Sequence, residues 1–340
     1  MSRFPKYLAA IFTVIAVVAG ATACADESSG PQSGGGSGGN GNGGSGGTKN
    51  LSISATGVDS LPFMAILQAG INKKWFEDEG IKVDLYSGGG GGNTLRVVTS
   101  GDADLAIAGN TSVILAAQQP NSNLKVIAPW FQVNDFSWIC PPGRKVDGAT
   151  LGFSSAGSST ELLVKGLEKK LPGVKAQAVG AMGDNWTAAK ANQITAGWAM
   201  QPFIADKQAS DNAQVLVNSR DVLGDLPADL VAVNADYAKA NPDNLRSFFK
   251  VVDRLNQWVV SNPDQAATEL APLVGVTPEV MKAAFKNSPD LAKGYSLKVD
   301  PAGLKNLSDL MVAAGQITAP VDWAKVMDQQ YLPDNARASF

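Results

Sequence analysis

VDLYSGGGGGNTLRVVTSGDADLAIAGNTS, residues 83–112, reads as strand, loop, helix, strand, loop, helix. Val83 to Tyr86 alternates as a short strand, and five glycines then lead into a helical segment, residues 94–100, that carries Leu95 and Val98. Gly101 stops that helix, Asp102 to Asp104 turn the chain, and Leu105 to Gly109 form a second apolar strand. Asn110, Thr111 and Ser112 are suited to cap a further helix over residues 113–119. In an open α/β sheet both loops lie at the carboxyl edge of the strands, where free amides at helix N-termini face a ligand. The stretch is therefore expected to form one wall of a binding cleft.

The glycines match neither common nucleotide motif. A Walker A loop needs Lys and Ser or Thr after its last Gly, where Asn93 and Thr94 stand, and a GxGxxG frame from Gly88 ends on Asn93. Two readings remain open: a flexible loop that contacts nothing, and a bare backbone surface that lets a small ligand come close.

The chain has 340 residues, long enough for two domains, with 44% hydrophobic and 17% charged residues. Arg3 and Lys6 precede an apolar run over residues 7–21, short for a membrane span, which ends in Ala21, Thr22, Ala23 and Cys24. Small residues running into a Cys look like a lipobox, the bacterial lipoprotein signal, with Cys24 as the acylated first residue of the mature chain. Residues 28–47 are almost all Gly and Ser with a few Asn, a flexible tether with a typical reach of about 25 Å. A tether between lipid and domain places the domain at the outer face of a membrane.

Removing the signal takes away two basic residues, leaving 26 basic against 31 acidic and moving the net charge from −3 to −5. No basic run interleaved with aromatics suggests nucleic acid. With Cys24 acylated, Cys140 is the one thiol left, so no internal disulfide is expected, and it reads as a small buried hydrophobe. The chain contains no His, which excludes His-dependent triads, His-ligated metals and imidazole acid–base chemistry.

Taken in order, LSISATG from Leu51 alternates as a strand, and a helix follows with Pro62 in its first turn. Phe63, Ile66, Leu67, Gly70 and Ile71 make its buried face. Asp59 either caps this helix or receives a ligand amine. LKVIAPWFQ is a strand from Leu124, and the polar, turn-rich composition after Pro141 and Pro142 puts the first interdomain crossing at residues 138–143. The pattern then restarts with ATLGFSS, a helix entrance at Gly157 to Thr160, and an amphipathic helix; Ser158 and Glu161 have capping-box spacing. DLVAVN, Asp229 to Asn234, reads as a strand returning to the first domain, giving two crossings and a hinge. Beyond it, Asn241-Pro242, Asn262-Pro263, Thr277-Pro278 and Asp300-Pro301 each signal the start of a packing helix. The expected layout is a signal peptide at 1–23, a lipid-anchored tether at 24–50, domain I at 51–138 with 229–340, and domain II at 139–228.

The lipobox, LPFMAILQAGINKKWFEDEGIKVDL, TSGDADLAIAG, GATLGFSSAGSSTELLVKGLEK and AGWAMQPF, in that order, resemble the solute-binding proteins of the nitrate, sulfonate and taurine class of ABC importers. That class also includes binders of thiamine-pyrimidine precursors, and the similarity runs from about Leu51 to Ala271. The resemblance implies a periplasmic-binding-protein-like fold: two α/β domains, a hinge of two crossings, and a ligand held in the cleft between them. It implies ligand contacts at Thr56, Asp59 and Ser60; Gly92, Asn93 and Thr94; Asn110 and Thr111; Ser154, Ser158, Ser159 and Thr160; Asp184 and Asn185; and Trp198 with Gln201. Gln201 stands where many relatives have an acidic residue, and suits a neutral or anionic group better than a cation.

Helix N-termini with Ser, Thr and Asn suit a small anion or zwitterion. Trp130, Phe131, Phe136, Trp138, Trp186, Trp198 and Phe203, near the expected cleft and hinge, suit a planar heterocycle such as a thiamine-pyrimidine precursor or a flavin. The resemblance favours the sulfonate, taurine or nitrate type. Its implied partners are the small-molecule ligand, an ABC permease, and the cell membrane through Cys24 on the extracytoplasmic face. The protein is expected to act as a monomer, without cofactor or metal. Thiamine-pyrimidine synthases share the fold but use an active-site His, so catalysis is not expected; a ligand-sensing lipoprotein is the remaining alternative.

Overall fold

Hydrophobic alternation builds the first strands directly. In β1 (Lys49–Ala55) the residues Leu51, Ile53 and Ala55 are buried, and parallel neighbours flank it on both sides. The computed structural model describes residues 49–340; the expected signal peptide, Cys24 and all but the end of the expected tether lie outside the described residues. Among the described residues no helix is long and apolar enough to cross a membrane.

The strands form two five-stranded sheets. The first holds β1, β2 (Ile81–Ser87), β3 (Leu105–Gly109), β4 (Leu124–Trp130) and β10 (Asp229–Asn234), in the order β2-β1-β3-β10-β4. The second holds β5 (Ser137–Cys140), β6 (Thr150–Phe153), β7 (Lys175–Ala178), β8 (Ala196–Ala199) and β9 (Gln214–Asn218), in the order β7-β6-β8-β5-β9. β10 is antiparallel to β3 and β4, and β5 is antiparallel to β8 and β9, while the other pairings are parallel. Each sheet thus takes its fourth strand from chain that has just crossed from the other sheet. Parallel strands joined by helices bring every strand-to-helix turn to one edge, which orients both lobes toward a shared cleft.

The first crossing lies earlier in the chain than residues 138–143. Ser137 and Trp138 already pair with β8 and β9, so the chain passes between sheets over residues 131–136, every one of them buried. The Pro141-Pro142-Gly143 turn that suggested the later position follows β5 within the second lobe. The crossing is tied down on both sides. Gln132 Nε2 donates to the carbonyls of Ser296 (2.8 Å) and Lys298 (2.6 Å), and Asn134 Nδ2 donates to Gly224 O at 3.0 Å. Ser219 Oγ donates to Asn134 Oδ1 at 2.6 Å, which links the outgoing crossing to the returning one at residues 219–228.

Helices begin at all four Pro signals: Pro242–Ser261, Pro263–Leu270, Pro278–Asn287 and Pro301–Ala313. Thr277 and Asp300 cap as expected, accepting from the Val280 and Ala302 amides. Asn241 and Asn262 do not; each donates instead to a carbonyl of the preceding helix, at Tyr237 and Trp258. Phe248, Phe249, Val252, Leu255 and Val259 are fully buried along the longest of these helices, against the first lobe. Pro278–Asn287 and Pro301–Ala313 also pack on helices Phe203–Asp211 and Ser159–Lys170 of the second lobe, so the C-terminal region serves both lobes and not domain I alone.

Candidate ligand cleft

A cavity of about 690 Å³ opens where the two sheet edges meet. Its rim is built from the ends of strands and the starts of five helices: Pro62–Asn72, Gly91–Thr99 and Asn110–Ala117 from the first lobe, Ser159–Lys170 and Met182–Lys190 from the second. Unpaired amides at such starts, with the helix dipole behind them, favour electron-rich ligand atoms.

On the first wall, Thr56, Asp59, Ser60 and Gly92 line the cavity. Asp59 is not a cap, because the helix it precedes is flanked by Leu61 and has no side-chain cap; its carboxylate is exposed at the cavity edge. The glycine run divides in two. Gly88 sits so close to Thr94 that a Cβ there would lie 1.9 Å from Thr94 Oγ1, and Gly89 has φ +67°, a left-handed conformation that favours glycine. Gly91 and Gly92 belong to the helix itself, which starts three residues before Thr94. Gly89 to Gly92 border the cavity with bare backbone, the second of the two readings of this loop.

Thr94 and Asn93 do not line it. Thr94 is fully buried; its hydroxyl donates to Gly90 O at 3.0 Å and lies 2.7 Å from Thr56 Oγ1, while Asn93 points to solvent. Asn110 and Thr111 are also fully buried, and their role is structural. Asn110 Oδ1 accepts from Thr111 N (2.5 Å), Thr111 Oγ1 (2.9 Å) and Ser159 Oγ (2.8 Å), and its Nδ2 donates to Pro227 O at 2.6 Å. One side chain thereby staples the first lobe, the second lobe and the returning crossing.

On the second wall Ser154, Ser158, Ser159, Thr160 and Trp198 line the cavity. The Thr160 hydroxyl lies 2.9 Å from Ser154 Oγ and 3.0 Å from Ser158 Oγ, a compact hydroxyl cluster at the helix start. Ser158 accepts from Glu161 N at 3.2 Å, and the Glu161 carboxylate accepts from Gly157 N at 2.7 Å, so the capping exchange is shifted by one residue from the expected box. Asp184, Asn185 and Gln201 fall outside the lining. Asp184 is exposed and accepts from Ala181 N, Asn185 is buried and donates to Gly180 O and Ala181 O, and Gln201 is buried with Oε1 accepting from Ala205 N. Because Gln201 faces the interior, its neutrality does not bear on ligand charge.

Of the seven aromatics near cleft and hinge, Phe136 and Trp198 reach the cavity, with ring centroids 6.4 Å apart. Trp130 and Trp138 are core, donating to the carbonyls of Phe63 and Gly152. Cys140 is buried in β5, where burial pushes its thiol up.

Sequence reasoning missed Met200 and above all Asp229 as lining residues. Asp229 opens β10, faces Gly109 of β3 and Trp130 of β4 in register, and is 6% exposed. Burial pushes its carboxyl up to about 7. The available signal was an acid at the head of an otherwise apolar strand, at a crossing. A second acid, Asp135 in the first crossing, is likewise raised to about 7 by burial, against the opposing pull of the Gln201 amide, Arg220 and Ser288. Among the described residues no Lys or Arg lines the cavity.

A profile of the family described as NMT1/THI5 like matches residues 62–266. Among solved structures, the alkanesulfonate-binding protein SsuA from Xanthomonas axonopodis pv. citri bound to MOPS is 17% identical, with 83% of this chain and 99% of that chain covered and a TM-score of 0.66. A conserved Candida albicans gene product with the generic periplasmic-binding-protein fold is 14% identical, covering 84% and 97%, with a TM-score of 0.67. The desulfurization enzyme DSZB is 12% identical, covering 83% and 97%, with a TM-score of 0.58. These likenesses establish the periplasmic-binding-protein fold. No curated protein matches the sequence.

Proposed function

The chain belongs to the NMT1/THI5-like family, and from that premise we propose that it is a solute-binding lipoprotein that captures a small molecule in the cleft and delivers it to an ABC importer permease. One observation carries this reading: a cavity of about 690 Å³, within the size range of small-molecule sites, has walls from two lobes joined by two crossings. Solute exchange requires the lobes to part, a hinge motion that breaks the cross-cleft bonds Ser159 Oγ to Asn110 Oδ1 (2.8 Å) and Ser112 Oγ to Gly157 O (3.3 Å). A permease then distinguishes the closed, loaded form from the open one.

The lining residues named above are the proposed contacts. Helix N-termini and hydroxyls would hold the polar oxygens of a sulfonate-type solute, in keeping with the MOPS found in SsuA. The apolar side made by Phe136, Trp198 and Met200 favours, as the second reading, a planar heterocycle. The lipobox supports anchoring through Cys24 at the extracytoplasmic face of the membrane. Cys24→Ser is expected to abolish lipid labelling of the chain; labelling at the wild-type level rules out that anchor.

The direct test is a thermal-shift screen of the full chain against sulfonates, nitrate and pyrimidine precursors. A solute at a hundred times its Kd stabilises the chain by about 2.7 kcal/mol, a shift of several degrees. Stabilisation by one class identifies the solute; failure of every class to stabilise the chain overturns the sulfonate and pyrimidine assignments of the solute.

A further inference from the structure

We propose that Asn185 is a positioning residue of the cleft: through the carbonyl of Gly180 it holds the indole of Trp198 in the orientation that meets the solute. This rests on the solute-binding reading and deepens it, because Gly180 and Trp198 line the cavity and Asn185 stands behind them. Asn185 is fully buried in the helix Met182–Lys190. Its Nδ2 donates to Gly180 O at 2.8 Å and to Ala181 O at 3.1 Å. Trp198 Nε1 donates to the same Gly180 O at 3.0 Å. One carbonyl thus receives a donor from the helix and another from β8, and its direction sets where the indole sits. Gly180 needs that hold: its φ is +128°, and with no side chain its backbone is the freest of any residue type.

The other half of the amide shows that Asn185 is not there for packing. Its Oδ1 is buried and accepts no hydrogen bond from a described residue. It presses on Gly152 of β6, where a Cβ would overlap it, and the Asn185 backbone lies against Gly197 of β8, where a Cβ would come within 2.7 Å. An unpaired buried oxygen is destabilising, and an apolar side chain of the same size would avoid it. What Asn supplies in this space is two N–H donors on a short stem. Leu and an ionised Asp have none, and Gln adds a methylene for which the contact with Gly152 leaves no room. Both acceptors keep a second donor without Asn185: Trp198 Nε1 stays on Gly180 O, and the Asn185 amide, 3.0 Å away, stays on Ala181 O. Loss of the side-chain donors therefore strands no carbonyl, and its main consequence falls on the placing of Gly180 and Trp198. The Trp198 ring lies 6.4 Å from that of Phe136 at the end of the first crossing, so the hold orients the aromatic part of the wall.

The Trp198 indole N–H reports the hold without any ligand. Its signal in a proton–nitrogen NMR spectrum of the full chain is identified by its loss in Trp198→Phe, and its exchange with deuterium is the readout. In the wild type this proton is expected to exchange slowly although the ring is half-buried; exchange at the rate of an open indole overturns the proposal. Asn185→Leu removes both donors together with the unpaired oxygen, and is expected to speed the exchange at least about tenfold while the urea midpoint holds or rises. A purely structural role predicts the reverse, a lower midpoint with the indole unchanged, and that result overturns the proposal. Asn185→Ala gives the same readout if the Leu variant does not fold. With MOPS as the probe, Asn185→Leu and Trp198→Phe are each expected to weaken calorimetric binding at least about fivefold, and the double variant no more than the stronger single one. Fully additive losses, or an unchanged affinity in Asn185→Leu, overturn the proposal. Failure of the wild-type chain to bind MOPS counts against the sulfonate assignment alone, and the indole exchange then decides the role of Asn185.

Discussion

The two lobes repeat one strand order yet are held together to very different degrees. In the first, β3, β4 and β10 are buried almost throughout, and Pro242–Ser261, with Phe248 and Phe249 fully buried, packs on β2 and the helix Pro62–Asn72. In the second, β7 is mostly exposed, β9 is half-buried, and β5 to β8 each have four residues. The faces of that second sheet also differ. Trp138 and Cys140 join the main core, which runs on through Leu151, Leu163 and Leu167, whereas Ile139 belongs to a small separate cluster with Trp186, Ala199, Ile204 and Ala213. A topology alone therefore does not set stability; the apolar area that later elements bring to it does. The first lobe is the platform, and the second is the lighter body that would swing.

The comparison can be broken by experiment. The largest effect belongs to Phe248→Ala, expected to cost about 3–5 kcal/mol because the emptied site lies in a densely packed core. Urea unfolding measures it, and a loss below about 1 kcal/mol would show that the first lobe is not the platform. Asn110→Ala comes next. It removes four hydrogen bonds and strands the Thr111 and Ser159 hydroxyls, with an expected cost of about 2–4 kcal/mol. Because it also removes the cross-cleft bond from Ser159, small-angle scattering should detect a larger radius of gyration; an unchanged radius with full stability would remove Asn110 from the joint.

A third prediction concerns the joint itself, where Asp135 and Asp229 sit in or beside the two crossings. Both hold their protons more tightly folded than unfolded, being raised from the ordinary carboxylate range to about 7. Their contribution is therefore fully present below about pH 4 and is lost as pH rises toward about 7, on the order of a few kcal/mol each. Urea midpoints across this window should fall with rising pH for the unliganded chain, after allowance for the other carboxylates. Asp229→Asn should flatten its share, and a slope unaffected by that change would refute the burial argument. The smallest effect is expected at the edge of the lighter lobe: Val215→Lys, on a residue 42% exposed in β9, should change stability by less than about 0.5 kcal/mol. A larger loss would mean that the edge strand packs against something in solution.

Much of the architecture is legible in the residues because local chemistry dictates it. DLVAVN is a strand at the bounds its apolar run indicates, and four Pro residues start four helices because a fixed φ and a missing N–H suit the first turn. The first crossing was misplaced by several residues because Pro141-Pro142-Gly143 is stronger local punctuation than the buried 131–136 segment, which carries no turn residue other than Asn134 and Asp135. Cavity-lining positions were legible where backbone position alone is enough, as at Thr56, Ser60, Ser158 and Thr160 beside helix starts. They were not legible where a polar side chain turns inward. Asn110, Asn185 and Gln201 carry the same functional groups as cleft residues, but Asn110 and Gln201 and the Nδ2 of Asn185 are spent on backbone or side-chain partners, some brought close only by folding.

The sequence by itself determined the order of strands and helices, the two-lobe plan and the edge at which polar turns gather, because periodicity, caps and glycines act over a few residues. Only the tertiary structure decided which of those polar groups remain unsatisfied. That depends on partners far away in the chain, 49 residues for Ser159 and Asn110 and 117 for Asn110 and Pro227. Asp229 shows the same physics from the other side: only the closing of β10 between β3 and β4 leaves its side chain buried at the cavity wall, where burial raises its carboxyl to about 7.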